Sequence, residues 1–87
     1  MYIIIVYDAA PKRGAKLLKY LRQHLNWVQN SVFEGELTES EFERIKHGIK
    51  EIINEKLDSI IYYTFESQNY HERGIIGVER NEIDSFI

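Results

Sequence analysis

"YIIIVYDAAPKR", residues 2–13, decides the fold. Its first six residues are β-branched or aromatic and apolar throughout, a run too short for an ordinary helix, so it reads as a central strand buried on both faces. The strand ends on one carboxylate, Asp8. Ala10 precedes Pro11, which disfavours helix at Ala10 and suits Pro11 to a helix first turn. A helix is therefore expected from Pro11 to about Leu25, with Leu17, Leu18, Leu21 and Leu25 as its core stripe and Lys12, Lys16, Lys19 and Arg22 off that stripe.

Outward from this βα unit, "NWVQNSVFEGEL" (26–37) reads as two short strands with a tight turn or bulge at Asn30 and Ser31, and a second irregular point at Gly35. "TESE" (38–41) is a capping box that opens a second helix, whose apolar face is Phe42, Ile45, Ile49, Ile52 and Ile53. "DSIIYYTF" (58–65) is a further doubly buried strand; "ESQNYHER" (66–73) reads as a polar loop and "GIIGVE" (74–79) as the strand after it. The first six of these elements, in the order β-α-β-β-α-β, follow the α+β, ferredoxin-like pattern, an antiparallel sheet with both helices on one face. "IDSFI" (83–87) adds a short C-terminal strand with no evident partner within the chain. The expected division is a domain over residues 1–79 and a tail over residues 80–87.

At 87 residues the chain has room for one domain. A domain this small buries only about 60 to 65% of the surface its unfolded chain exposes, and the helix-free sheet face would stay bare in a monomer, so a homodimer is expected. The apolar fraction of 44% and charged fraction of 29% are globular values. No apolar run approaches the length of a spanning helix and no signal-peptide pattern occurs, so a cytoplasmic protein without membrane partners is expected. The absence of cysteine removes disulfides, thiolate metal sites and cysteine nucleophiles. The net charge of -3 hides an asymmetry: residues 1–33 carry one acid against five bases, and residues 34–87 carry thirteen acids against six bases.

Asp8 is the candidate for chemistry. A carboxylate at the end of a central strand is rigidly held yet open to solvent, and Mg2+ can bind one or two carboxylates when waters, phosphate oxygens or a second chain complete its shell. The alternative is an Asp that caps the following helix or closes a turn. Lys12, Arg13, Lys16, Lys19 and Arg22 suit phosphate binding; the alternative there is a solvated helix face. His24, His47 and His71 lie on three different elements and share no ligand spacing. Ser31, Ser59 and Thr64 lack a nucleophile elbow, and no glycine-rich phosphate loop is present. Tyr62, Tyr63 and Phe65 could stack bases on an open sheet, but strand burial accounts for them.

The strand-ending "VYD" (6–8), "WVQNSVFEGEL" (27–37) and "DSIIYY" (58–63) together make the chain resemble the small CRISPR-associated "Cas two" proteins of spacer acquisition. The middle stretch is the specific part, similar to the family's Q-x-S-V-F-E-G segment. The resemblance implies a ferredoxin-like homodimer whose two Asp8 residues face each other near the two-fold axis and can hold Mg2+. It implies that the tail adds a strand to the partner protomer's sheet and helps dock the "Cas one" integrase. By position, Asp8 becomes the catalytic and metal residue, Tyr7, Ser31 and Phe33 site-supporting residues, and Arg13 the phosphate contact; Lys12, Lys16 and Lys19 are nucleic-acid contacts expected from the basic cluster itself. Where relatives carry several arginines after the acid, this chain has "AAPKRGAK", and Lys cannot grip phosphate bidentately as Arg does. Three functions are open: a Mg2+-dependent endonuclease on RNA or double-stranded DNA, a non-catalytic adaptor bridging a prespacer duplex and the integrase, and, from fold alone, a small-molecule-sensing domain.

Overall fold

The computed structural model describes residues 1–66 and 69–79. The expected tail strand over residues 80–87 lies outside the described residues. The elements are β1 (Tyr2–Asp8), α1 (Pro11–Leu21), β2 (Asn26–Gln29), β3 (Val32–Glu36), α2 (Glu39–Ile52), β4 (Ser59–Glu66) and β5 (Asn69–Gly77). The strands form one antiparallel sheet in the order β2-β3-β1-β4-β5, with β1 hydrogen-bonded to β3 on one side and β4 on the other. The opening run is therefore the central strand that its composition predicts.

Alternation along β1 sorts its residues between two environments. Ile3, Ile5 and Tyr7 are buried in the core with Leu17 and Leu21 of α1, Phe33 of β3, Phe42, Ile45 and Ile49 of α2, and Ile60 of β4. Tyr2, Ile4 and Val6 lie on the opposite face and are only half-buried in the single chain. Across from them, the cross-strand partners Phe65 and Tyr63 on β4 are also half-buried. One sheet face is thus closed by helices, and the other presents a partly open apolar surface.

Each helix begins differently. α2 carries its own cap: Thr38 Oγ1 accepts from the Glu41 backbone N–H at 3.1 Å, and the Glu41 carboxylate accepts from the Thr38 N–H at 2.8 Å. These reciprocal bonds, which hold the Glu41 pKa below its ordinary value, are the capping box the sequence announces. α1 has Ala10 at its N-cap, no side-chain cap bond and no acid in its first turn. Its cap comes from elsewhere in the chain, as described below.

Two boundaries differ from expectation. α1 stops at Leu21, and residues 22–25 form a turn that still buries Leu25. Apolar spacing marks Leu25 as core but cannot distinguish a last helical turn from a tight turn that delivers the same side chain. β5 begins at Asn69, so most of the expected polar loop is strand, paired through Tyr70 with Phe65 and Glu72 with Thr64. This outer half of an edge strand is exposed, so sheet pairing makes no apolar demand on it. The turn at Asn30 and Ser31 is as expected: Asn30 takes a positive φ of 42°, and the Trp27 indole N–H donates to the Asn30 carbonyl at 2.9 Å. Gly35, expected as a second irregular point, instead pairs in regular register with Ile3, and its constraint is one of packing, because a Cβ there would come within 3.0 Å of Leu25 Cδ2.

Candidate functional site

Asp8 is the last residue of β1, on its half-open face, and its side chain is exposed. The N-cap position of α1 is taken by Ala10, two residues further on. Its cross-strand partner is Ser59, the first residue of β4. Ser59 is 2% exposed, and its Oγ is buried without a hydrogen-bond partner.

Tyr7, Ser31 and Phe33 converge beside this strand end. Tyr7 N–H donates to the Ser31 carbonyl at 3.1 Å, and the Tyr7 and Phe33 rings stack with centroids 6.3 Å apart. Tyr7 O–H points back to the Gly14 carbonyl at 3.4 Å, and burial raises the phenol pKa. All three therefore hold the end of β1 against α1 and β3 from the helix side.

Lys12, Lys16 and Lys19 are exposed, and their i, i+4, i+7 spacing places them on one flank of α1, which starts beside Asp8. Arg13 is placed differently from the expected phosphate contact. Its Nε and Nη2 donate to the two carboxylate oxygens of Asp58, the second at 3.0 Å. Asp58 is 1% exposed and sits in the segment between α2 and β4, so it demands a charged partner, and Arg13 one turn into α1 supplies it. Local pattern does not reveal which residues pair here, because the two lie 45 positions apart.

Asp58 also accepts from the Asn54 N–H at 2.9 Å and is further stabilised by the Ala10 backbone N–H. An anionic side chain from a distant segment thus provides what α1 lacks, a negative charge at its N-terminus. The Arg13 guanidinium foremost, then these N–H groups, holds the Asp58 carboxyl below its ordinary value of 3.8, despite opposing desolvation. A carboxyl whose folded pKa is depressed stabilises the fold fully above the unfolded value and ceases to do so as pH falls through the folded value. Acid titration followed by circular dichroism should therefore show stability falling below about pH 4, with a smaller fall in Asp58→Asn.

Among the described residues, no three His, Asp or Glu side chains gather into a metal cage. The donor set at the strand end is one carboxylate, with a buried hydroxyl beside it. That set fits Mg2+, which keeps several waters and is often held by one or two carboxylates plus phosphate oxygens, and does not fit a cation needing a complete protein cage. No described helix is long and apolar enough to cross a membrane.

The family described as CRISPR associated protein Cas2 matches residues 1–73. The chain is 56% identical over its whole length to the CRISPR-associated endoribonuclease Cas2 of Methanocaldococcus jannaschii, covering 76% of that protein. It is 54% identical to the protein of the same name from Pyrococcus furiosus, with both chains fully covered. Its fold is similar to the crystal structure of Streptococcus pyogenes Cas2 at pH 6.5, with a TM-score of 0.70 and 38% identity over 76% of this chain and 87% of that one. The central strand ending on Asp8, the lysine-bearing α1 and the Tyr7, Ser31 and Phe33 cluster all fall within the matched span, and the chain belongs to the Cas2 family of CRISPR-associated proteins.

Proposed function

We propose that this chain is a CRISPR-associated endonuclease that cleaves RNA or double-stranded DNA in spacer acquisition, acting as a homodimer with Mg2+ held at Asp8. The observation that carries this reading is the exposed Asp8 carboxylate on the central strand, beside an exposed lysine flank on the helix that follows it. The names of the similar proteins, CRISPR-associated endoribonuclease Cas2, support RNA as the first substrate to test. A second copy would cover the half-open apolar face of Tyr2, Ile4, Val6, Tyr63 and Phe65 and bring another Asp8 to the site.

Asp8 holds the cation, and Lys12, Lys16 and Lys19 hold the polyanion backbone as point charges. The rigid β1 end fixes where the scissile phosphate must sit, because Tyr7, Phe33 and the Arg13–Asp58 pair immobilise the segments on either side of Asp8. Mg2+ at such a carboxylate supplies an activated water and neutralises charge developing on the phosphate.

The lysine flank has its own test. Changing Lys12, Lys16 and Lys19 together to Ala should weaken RNA or duplex binding and lower the slope of log affinity against log salt by about 2 to 3 units, at roughly 0.7 to 0.9 per lost contact. An unchanged slope in a fluorescence-anisotropy titration would remove α1 from the interface. The adaptor reading draws on one observation, that Arg13 is committed to Asp58 and the remaining grips are lysines, which hold a backbone without orienting one phosphate. It predicts that duplex binding survives Asp8→Asn unchanged, and that loss of residues 82–87 abolishes docking of the integrase subunit.

A further inference from the structure

Two buried side-chain oxygens among the described residues have no hydrogen-bond partner, Ser59 Oγ and Thr64 Oγ1. They lie five positions apart on β4 and so on opposite faces of the sheet. Thr64 shares the helix side with Tyr62, whose ring meets Phe42 of α2. Ser59 shares the other side with Asp8, its direct partner in the β1–β4 register. Side chains so paired have Cβ atoms about 4.5 to 5.5 Å apart, within reach of a hydrogen bond between a hydroxyl and a carboxylate.

A buried hydroxyl without a partner lowers the stability of the fold, since the group has lost water and gained nothing in return. Ala would fit the same space without that cost. The placement of Ser59 is also unusually well fixed. Its neighbour Asp58 is bound to Arg13, its N–H donates to the Asn54 carbonyl at 2.8 Å, and its carbonyl accepts from the Val78 N–H at 2.8 Å. Behind it, Gly77 has a φ of 92°, and a Cβ there would collide with the Asp58 carbonyl oxygen. The start of β4 is thus held on three sides, with an unsatisfied donor set beside the carboxylate.

We propose that Ser59 is the positioning residue of Asp8: its hydroxyl, unpartnered in the single chain, donates to one oxygen of the carboxylate when the cation binds and turns the other toward it. Carboxylates that bind metals are themselves oriented by such outer hydrogen bonds, and losing one commonly costs 10- to 100-fold in metal affinity. The inference rests on Asp8 as the metal residue, so its test separates the two.

Mn2+, a spectroscopic substitute for Mg2+, is titrated by electron paramagnetic resonance into the wild type, Ser59→Ala, Ser59→Thr and Asp8→Asn, with a thermal melt of each. Ser59→Ala should melt at or above the wild-type temperature yet bind Mn2+ about tenfold more weakly, while Ser59→Thr, which keeps the hydroxyl, binds as the wild type does. A merely structural Ser59 would leave Mn2+ affinity in Ser59→Ala unchanged, and that result overturns the proposal while leaving Asp8 in place. Retention of full Mn2+ affinity in Asp8→Asn would overturn the reading of Asp8 and this inference with it.

Discussion

Asp58→Ala is expected to lower the thermal midpoint by roughly 10 to 20 °C, from a loss of about 3 kcal/mol in a domain of this size. The carboxylate is 1% exposed and holds three groups at once: the Arg13 guanidinium, the Asn54 N–H and the N-terminus of α1 through Ala10. Truncation leaves a guanidinium whose side chain is 29% exposed with no counter-charge, and a helix start with no cap. Few other single changes remove so much, because most of the charged side chains lie on the surface, where an ion pair contributes little. Differential scanning calorimetry at pH 7 checks the figure; a midpoint within about 3 °C of the wild type would show that the pair contributes no more than a surface one.

Asp8→Asn should give the opposite pattern. The side chain is exposed, and exchanging its carboxylate for an amide of the same shape should change stability by no more than about 0.5 kcal/mol. Mg2+-dependent cleavage of end-labelled RNA should fall by at least about 100-fold, the usual scale for losing a group that stabilises charge in the transition state. The melt and the cleavage assay together separate a damaged fold from a damaged site. Cleavage that persists in Asp8→Asn purified alongside the wild type would come from a contaminant or from another residue, and would favour the adaptor.

The legible parts of this chain are those where local pattern and environment agree. The run 2–7 is apolar at every position because β1 is central in the sheet, and Thr38 and Glu41 announce α2 because their bonds close within four residues. The turn at Asn30 is legible for the same reason, as a local conformation that Asn tolerates. The first half of β5 is not, since an exposed edge strand places no demand on its side chains that a loop would not.

The site divides in the same way. Asp8 could be read because it ends a strand, and Lys12, Lys16 and Lys19 because they fall off the apolar stripe of α1. Arg13 was indistinguishable from its basic neighbours by sequence, although its role is to neutralise a buried acid. The only local hint was an Asp immediately before an apolar strand, a position that requires a partner once β4 is placed in the centre of the fold. Ser59 carried no signal by itself; its meaning depends on the β1–β4 register, which aligns it with Asp8.

Asp8, with its counterpart in a second copy, is expected to bind the divalent cation. Equilibrium Mn2+ titration of the wild type and Asp8→Asn, with the molar mass of each determined by light scattering, tests it most directly. Both proteins should be dimers, with one tightly bound ion per two chains in the wild type and none in Asp8→Asn. An equal amount of tightly bound Mn2+ in the two proteins would contradict it.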